Sequence, residues 1–443
     1  MSQQSSAKHT RYRATVMQTP QLGELQVLSQ VVIEVDPQGT IRSIHDGDDG
    51  PVDTDFGPDA VLLPGLIDTH IHAPQWPQLG TGLDLPLEQW LFEYTFPVEH
   101  RLTDAAFAAQ VWPDMVATLL AHGTTTAVYY ATIDVETTTM LAATCAELGQ
   151  RSFVGRVAMD HPTGTPEWYR DLDAKAAIAA SAISISEIHD LRSNFVQPII
   201  TPRFIPACTD ETMAGLGALA AETGTRIQTH CSESDWEHNY VLDRFGMTDT
   251  AALDSFGLVQ TGTIMAHGAH LTTNDFSVLS SAGAGVAHCP LSNAYFANAV
   301  FPARRALDAG VMVGLGTDIA GGAEPGMFPQ VAHCVTASRL LEDGVDAAVS
   351  SSVRGVPHSR LSILDAFYLA TVGGAELLGQ PIGLIEVGRQ FDAIAVTPNR
   401  PNSALKTWPE VDDHGRLFEK VIRLCAASDI DHVYVDGRRV SGS

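Results

Sequence analysis

The stretch Val61-Leu62-Leu63-Pro64-Gly65-Leu66-Ile67-Asp68-Thr69-His70-Ile71-His72 is an apolar run that ends in a carboxylate and two imidazoles. Its length and continuous apolar character suit a buried parallel strand. Residues two apart in an extended chain face the same side, so His70 and His72 aim together. The pattern recurs downstream, with further apolar runs at 124–130, 153–159, 198–204, 226–229, 263–266, 285–287 and 311–315. Between them lie segments of helical period, for example 104–121, 210–222 and 274–281. Eight strand–helix units in this order predict an α/β fold, a (β/α)8 TIM-like barrel.

Both ends of the chain read differently. Residues 26–35, the turn Asp36-Pro37-Gln38-Gly39 and residues 40–44 have strand and turn character, as do 391–397 and a hairpin about Asp436-Gly437 within 432–440. The expected organisation is a small β-sandwich domain built from 1–62 and 385–443, around a barrel at 63–384.

In such a barrel the C-terminal ends of the strands carry the active site. The first strand ends at His70 and His72, the fifth at His230, the sixth at His267, and the eighth at Asp318 within Gly314-Leu315-Gly316-Thr317-Asp318. Each histidine alone reads as a hydrogen-bonded, half-buried residue. Together on one rim they make a nitrogen and oxygen donor set of the kind zinc takes in catalytic sites. Glu233, three residues past His230, suits proton transfer, although Ser232-Glu233-Ser234-Asp235 also permits a helix cap.

Composition narrows the partners. A net charge of −26 over 443 residues argues against a nucleic-acid surface. Six cysteines without a C-x-x-C pair argue against a disulfide framework and fit a reducing cytoplasm. The first twenty residues are polar, without a signal-peptide core, and no apolar run is long enough to span a bilayer. Gly215-Leu216-Gly217 with Ala220 imitates a dinucleotide fingerprint but falls inside an expected helix. P-loop and H-E-x-x-H motifs are absent.

The segment from Pro64 to His72 resembles the opening motif of the amidohydrolase superfamily. The continuation Ala73-Pro74-Gln75-Trp76, the stretch from Asp84 to Leu91, and Tyr94-Thr95-Phe96-Pro97 are similar to the zinc-dependent members that deaminate guanine. So are Thr201-Pro202-Arg203-Phe204, His230-Cys231-Ser232-Glu233, Ala266-His267-Gly268, His288-Cys289-Pro290 and the stretch from Gly316 to Gly322.

The resemblance implies one Zn2+ per chain on His70, His72, His230 and Asp318, activating water at neutral pH. It implies catalytic roles for Glu233, His267 and Asp318, and substrate binding by Gln75, Arg203 and Phe204. The substrate is then a free nucleobase, guanine, and the expected assembly is a cytoplasmic homodimer. Two loops depart from that likeness, Leu291-Ser292-Asn293-Ala294-Tyr295-Phe296 and Ala323-Glu324-Pro325-Gly326. They leave open a pterin, 8-oxoguanine or aminotriazine as substrate, and a non-catalytic assembly protein as a third reading. The binuclear branch of the superfamily uses a lysine at the end of the fourth strand. Here that end is Arg203, and the four lysines are Lys8, Lys175, Lys406 and Lys420.

Overall fold

The computed structural model describes residues 9–47 and 50–442, so Lys8 and the rest of 1–8 lie outside it. In chain order the first strands are β1 (Thr10–Gln18), β2 (Gln26–Val35), β3 (Ile41–His45), β4 (Thr54–Asp55), β5 (Val61–Pro64) and β6 (Leu66–His72). There follow β7 (Thr124–Tyr130), β8 (Arg151–Gly155), β9 (Val157–Ala158), β10 (Val196–Pro198), β11 (Thr201–Pro202) and β12 (Gln228–Cys231). The last are β13 (Ile264–His267), β14 (Gly285–His288), β15 (Met312–Leu315), β16 (Ala393–Val396), β17 (Ile430–Val435) and β18 (Arg438–Gly442).

The two ends of the chain share one eight-stranded sheet of order β18-β17-β16-β5-β1-β2-β3, with β4 on β1. Strand β5 joins them, parallel to β1 on one side and antiparallel to β16 on the other. Asp436 and Gly437 both take positive φ, 46° and 70°, as a two-residue hairpin between β17 and β18 requires.

The run read as one strand over 61–67 is therefore two. Its first half stays in the terminal sheet, and the chain crosses at Gly65 into β6. A Cβ at Gly65 would lie 2.2 Å from Thr125 Oγ1, so glycine alone fits the crossing.

The central strands pair in parallel as β6-β7-β8-β10, as β9-β11, and as β12-β13-β14-β15. Backbone hydrogen bonds bridge the groups. Ile200 N–H donates to Arg226 O at 2.8 Å, and Gln228 N–H returns to Ile200 O at 2.9 Å. At the far side Asp318 N–H donates to His70 O, and His72 N–H to Ile319 O, both at 2.9 Å. These bonds bring the chain just beyond β15 against β6.

Helices connect the strands, and their starts were legible. Asp104 caps Ala105–Ala121 by accepting from Ala106 N–H at 2.8 Å, and Thr209 caps Asp210–Thr223. The expected helix at 274–281 is Thr273–Ala282. Gly217 lies inside Asp210–Thr223, where a Cβ would meet Phe256 O at 2.2 Å, so its glycine serves packing. Among the described residues no helix is long and apolar enough to cross a membrane. All six cysteines are free thiols, and burial pushes the thiols of Cys231 and Cys289 well above their ordinary range.

Candidate active site and metal centre

Strand β6 sends His70 and His72 to one side, as the two-residue spacing expects, and both are buried. His230 comes from β12 and His267 closes β13, while Asp318 follows β15 by three residues. These ends converge. His70 Nε2 lies 3.1 Å from Asp318 Oδ1, and His72 Nε2 lies 3.5 Å from the same oxygen. His72 Nε2 and His230 Nε2 face each other at 3.0 Å. His267 Nε2 is 3.7 Å from Glu233 Oε1 and 3.9 Å from Asp318 Oδ2.

Two observations test whether these residues fit a metal. First, the buried Nε2 atoms of His70 and His267 have no hydrogen-bond partner, a costly state unless a ligand satisfies them. Second, ligand atoms of His70, His72 and Asp318, of His70, His230 and His267, and of Glu233, His267 and Asp318 cluster in groups that could hold an ion. Burial, together with the neighbouring histidines, holds His70, His72 and His230 well below the ordinary imidazole range. That direction favours the neutral imidazole that metal binding requires. The donor set suits zinc.

A second layer fixes the first. The His230 Nδ1 meets Arg203 O at 2.5 Å, and the His267 Nδ1 meets Asn293 Oδ1 at 2.9 Å, leaving each Nε2 toward the cluster. Ser292 donates its hydroxyl to Asp318 Oδ2 at 2.5 Å. Asp68 accepts from His70 N–H at 3.2 Å, Thr317 N–H at 3.0 Å and Thr317 Oγ1 at 2.5 Å, tying β6 to the end of β15. Ser232, His267 and Asp318 all take positive φ, at 55°, 75° and 51°. Left-handed backbone at a non-glycine residue costs on the order of 1 kcal/mol or more, and here it recurs beside the cluster.

A cleft opens on this cluster. Gln75, Arg203 and Phe204 line it with Glu233, His72, His230 and Asp318. Burial, and then Asp318, pushes the Glu233 carboxyl well above its usual range. Ser234, not Glu233, caps the helix Asp235–Phe245. Trp90 lines the cleft and packs on Phe296 at 5.1 Å. Trp76 instead donates its indole N–H to Asp114 at 2.9 Å.

The sequence reading missed several neighbours. Leu87, Leu91 and Phe296 complete the apolar wall. Glu99 forms a buried bidentate pair with Arg203, at 2.6 and 2.9 Å. The Arg203 guanidinium is therefore paired before any substrate enters, and it keeps further N–H donors beyond the two that Glu99 accepts. Ser292 and Asn293 were noticed as departures from the expected loop, but not as partners of Asp318 and His267. Residues 323–326 are not among the residues lining the cleft. At the end of the fourth strand Arg203 stands where a bridging lysine would be needed, and Lys175 lies in the helix Ala174–Asp190.

The sequence profile of the amidohydrolase family matches residues 61–440, and the chain belongs to that family. The guanine deaminase of Dictyostelium discoideum is 34% identical over 97% of both chains. That of Homo sapiens is 36% identical over 86% of this chain and 82% of its own. The crystal structure of a guanine deaminase from C. acetobutylicum, with guanine bound in its active site, superposes with a TM-score of 0.88. It covers 98% of this chain and 100% of its own at 28% identity.

Proposed function

We propose that the chain hydrolyses guanine at C2 to xanthine and ammonia, a step of purine catabolism. The observation that carries this reading is one cleft that joins the His/Asp/Glu cluster to the buried Gln75 and Arg203. The likeness to guanine deaminases over most of the chain supports it.

One zinc per chain, held by His70, His72, His230 and Asp318, would supply hydroxide at neutral pH. The chain's own residues do the rest. Asp318 takes the proton from the attacking water. Glu233, on the cleft wall, delivers its proton to ring N3, takes one from the hydroxyl added at C2 and passes it to the amine as the C2–N bond breaks, so the nitrogen leaves as ammonia. The proton held by Asp318 then restores Glu233. His267, held by Asn293, stabilises charge developing on the oxygen added at C2. Arg203 donates to the purine O6, Gln75 reads the adjoining edge, and Phe204 packs on the ring.

The wider architecture belongs to the same proposal. The parallel strands form one closed (β/α)8 barrel over 63–384, supported by the bonds joining Asp318 and Ile319 to β6. The terminal segments, 1–62 and 385–443, form the small sandwich. Tyr12 on β1 and Tyr434 on β17 have ring centroids 5.4 Å apart. Three strand spacings, about 14 Å in a flat sheet, would otherwise part them, so the sheet curls back on itself. A homodimer in the cytoplasm rests on the family likeness and the free thiols, and sedimentation velocity reads the assembly.

The deciding experiment is ammonia release from guanine, 8-oxoguanine, isoxanthopterin, ammeline, adenine and cytosine. Guanine should be turned over best. Preference for a pterin or triazine, with guanine ignored, overturns the substrate and leaves the hydrolytic chemistry standing.

A further inference from the structure

Glu99 lies in the helix Phe96–Arg101 with its side chain fully buried, and it is not among the residues lining the cleft. Its carboxylate nevertheless receives three hydrogen bonds from two groups that do line it. Gln75 Nε2 donates to Oε1 at 2.8 Å, Arg203 Nη2 to Oε1 at 2.9 Å and Arg203 Nη1 to Oε2 at 2.6 Å. The Gln75 amide is also held from its other end, where Ala320 N–H donates to Oε1 at 3.0 Å. Turning the amide over would set its oxygen against a carboxylate and its nitrogen against a backbone N–H. Its orientation is therefore fixed, with one N–H and one lone pair left for a ligand. Arg203 is clamped in plane by the bidentate pair, its guanidinium carbon 4.9 Å from the centre of the Phe96 ring.

Charge follows geometry. A buried guanidinium alone draws anions, whereas the pair with Glu99 carries no net charge. We propose that Glu99 is a positioning residue that sets specificity. It fixes the donor pattern that Gln75 and Arg203 show the substrate, and it makes the cleft select an uncharged, carbonyl-bearing amino-heterocycle over an anionic one. This inference rests on the deaminase reading and deepens it.

Xanthine tests both halves, because its neutral and anionic forms are the same ring in two charge states. The experiment measures guanine turnover and competitive inhibition by xanthine between about pH 6 and 9 in the zinc-loaded wild type, Glu99→Gln and Glu99→Asp. For Glu99→Gln, the KM for guanine should rise about tenfold or more, with kcat changed less. Its xanthine inhibition constant, divided by the wild-type value at each pH, should fall as xanthine ionises. Glu99→Asp keeps the charge but is one methylene too short to reach both partners, so its KM rises while that ratio stays flat. If Glu99→Gln does not fold, the KM of Glu99→Asp decides.

A KM within about twofold of wild type in a folded variant, or a flat ratio for Glu99→Gln, overturns the proposal. A merely structural role would lower the melting temperature without tilting the ratio. Wild type that releases no ammonia from guanine fails the deaminase reading instead, and xanthine affinity by calorimetry then still reads Glu99.

Discussion

Glu233 and Arg203 line one cleft, but their environments assign them different work. Ser234 takes over the capping of the next helix, which leaves the Glu233 carboxylate to the cleft. Glu233→Gln keeps its shape and removes its proton, so turnover should fall by about two to four orders of magnitude. Zinc content, read by elemental analysis, should stay at the wild-type level. A variant that keeps both activity and metal would show that another group carries the proton. Arg203→Ala has a double effect, because it also strands Glu99 as a buried charge. Besides losing guanine turnover, it should lose about 3–5 kcal/mol of stability in denaturant unfolding. An Arg203→Ala protein as stable as wild type would mean that Glu99 finds another partner.

Elements explain what could be read in advance. The residues converging on the cluster were legible because each closes an apolar run, and a strand end is a position that sequence marks. Glu99, Ser292 and Asn293 were not, because they sit inside short helices where polar residues are ordinary and periodicity gives no direction. Gly65 was equally silent. The run 61–67 stays apolar while the chain changes sheets, since both halves are buried.

Two tests belong at this scale. Asp68→Ala removes two hydrogen bonds that join β6 to Thr317 and one within β6 from His70 N–H. It should lower stability by about 3 kcal/mol and weaken metal retention during dialysis, although Asp68 is no proposed ligand. Full retention would separate the tie from the metal centre.

The helices Asp235–Phe245 and Asp249–Ser255 are linked by His238 and Asp249, 2.8 Å apart. The hydrogen bond to Asp249 raises His238 above its ordinary value, with Asp275 and Asp235 adding to the pull. The ring also stacks on His270 at 5.1 Å. The sign follows from a raised folded pKa. The stabilisation is complete below the unfolded value, about 6.5, and is lost as pH rises through the higher folded value. His238→Gln should therefore lower the melting temperature more at pH 6 than at pH 9. An equal loss at both would remove the charge from the account.

For the whole molecule the metal is the clearest test. Elemental analysis should find about one zinc per chain, and stripping it with a chelator should lower the melting temperature, since a ligand bound only to the folded state stabilises it. Two tightly held metals in the active enzyme would overturn the single-site reading.

The hydrogen bonds from Asp318 to His70 and from Thr317 to Asp68 join positions some 250 residues apart in the sequence. During synthesis, then, His70 and His72 leave the ribosome long before Asp318 exists. A nascent chain cannot close the site around an ion until its last parallel strand has docked on its first, and pairings of such long range form late. On the proposed site, zinc would then be a seal on a finished fold and not a template for it. A chain that stops after residue 310 should hold zinc far more weakly than the full protein in a competition titration with a chromogenic chelator, despite keeping every histidine of the cluster.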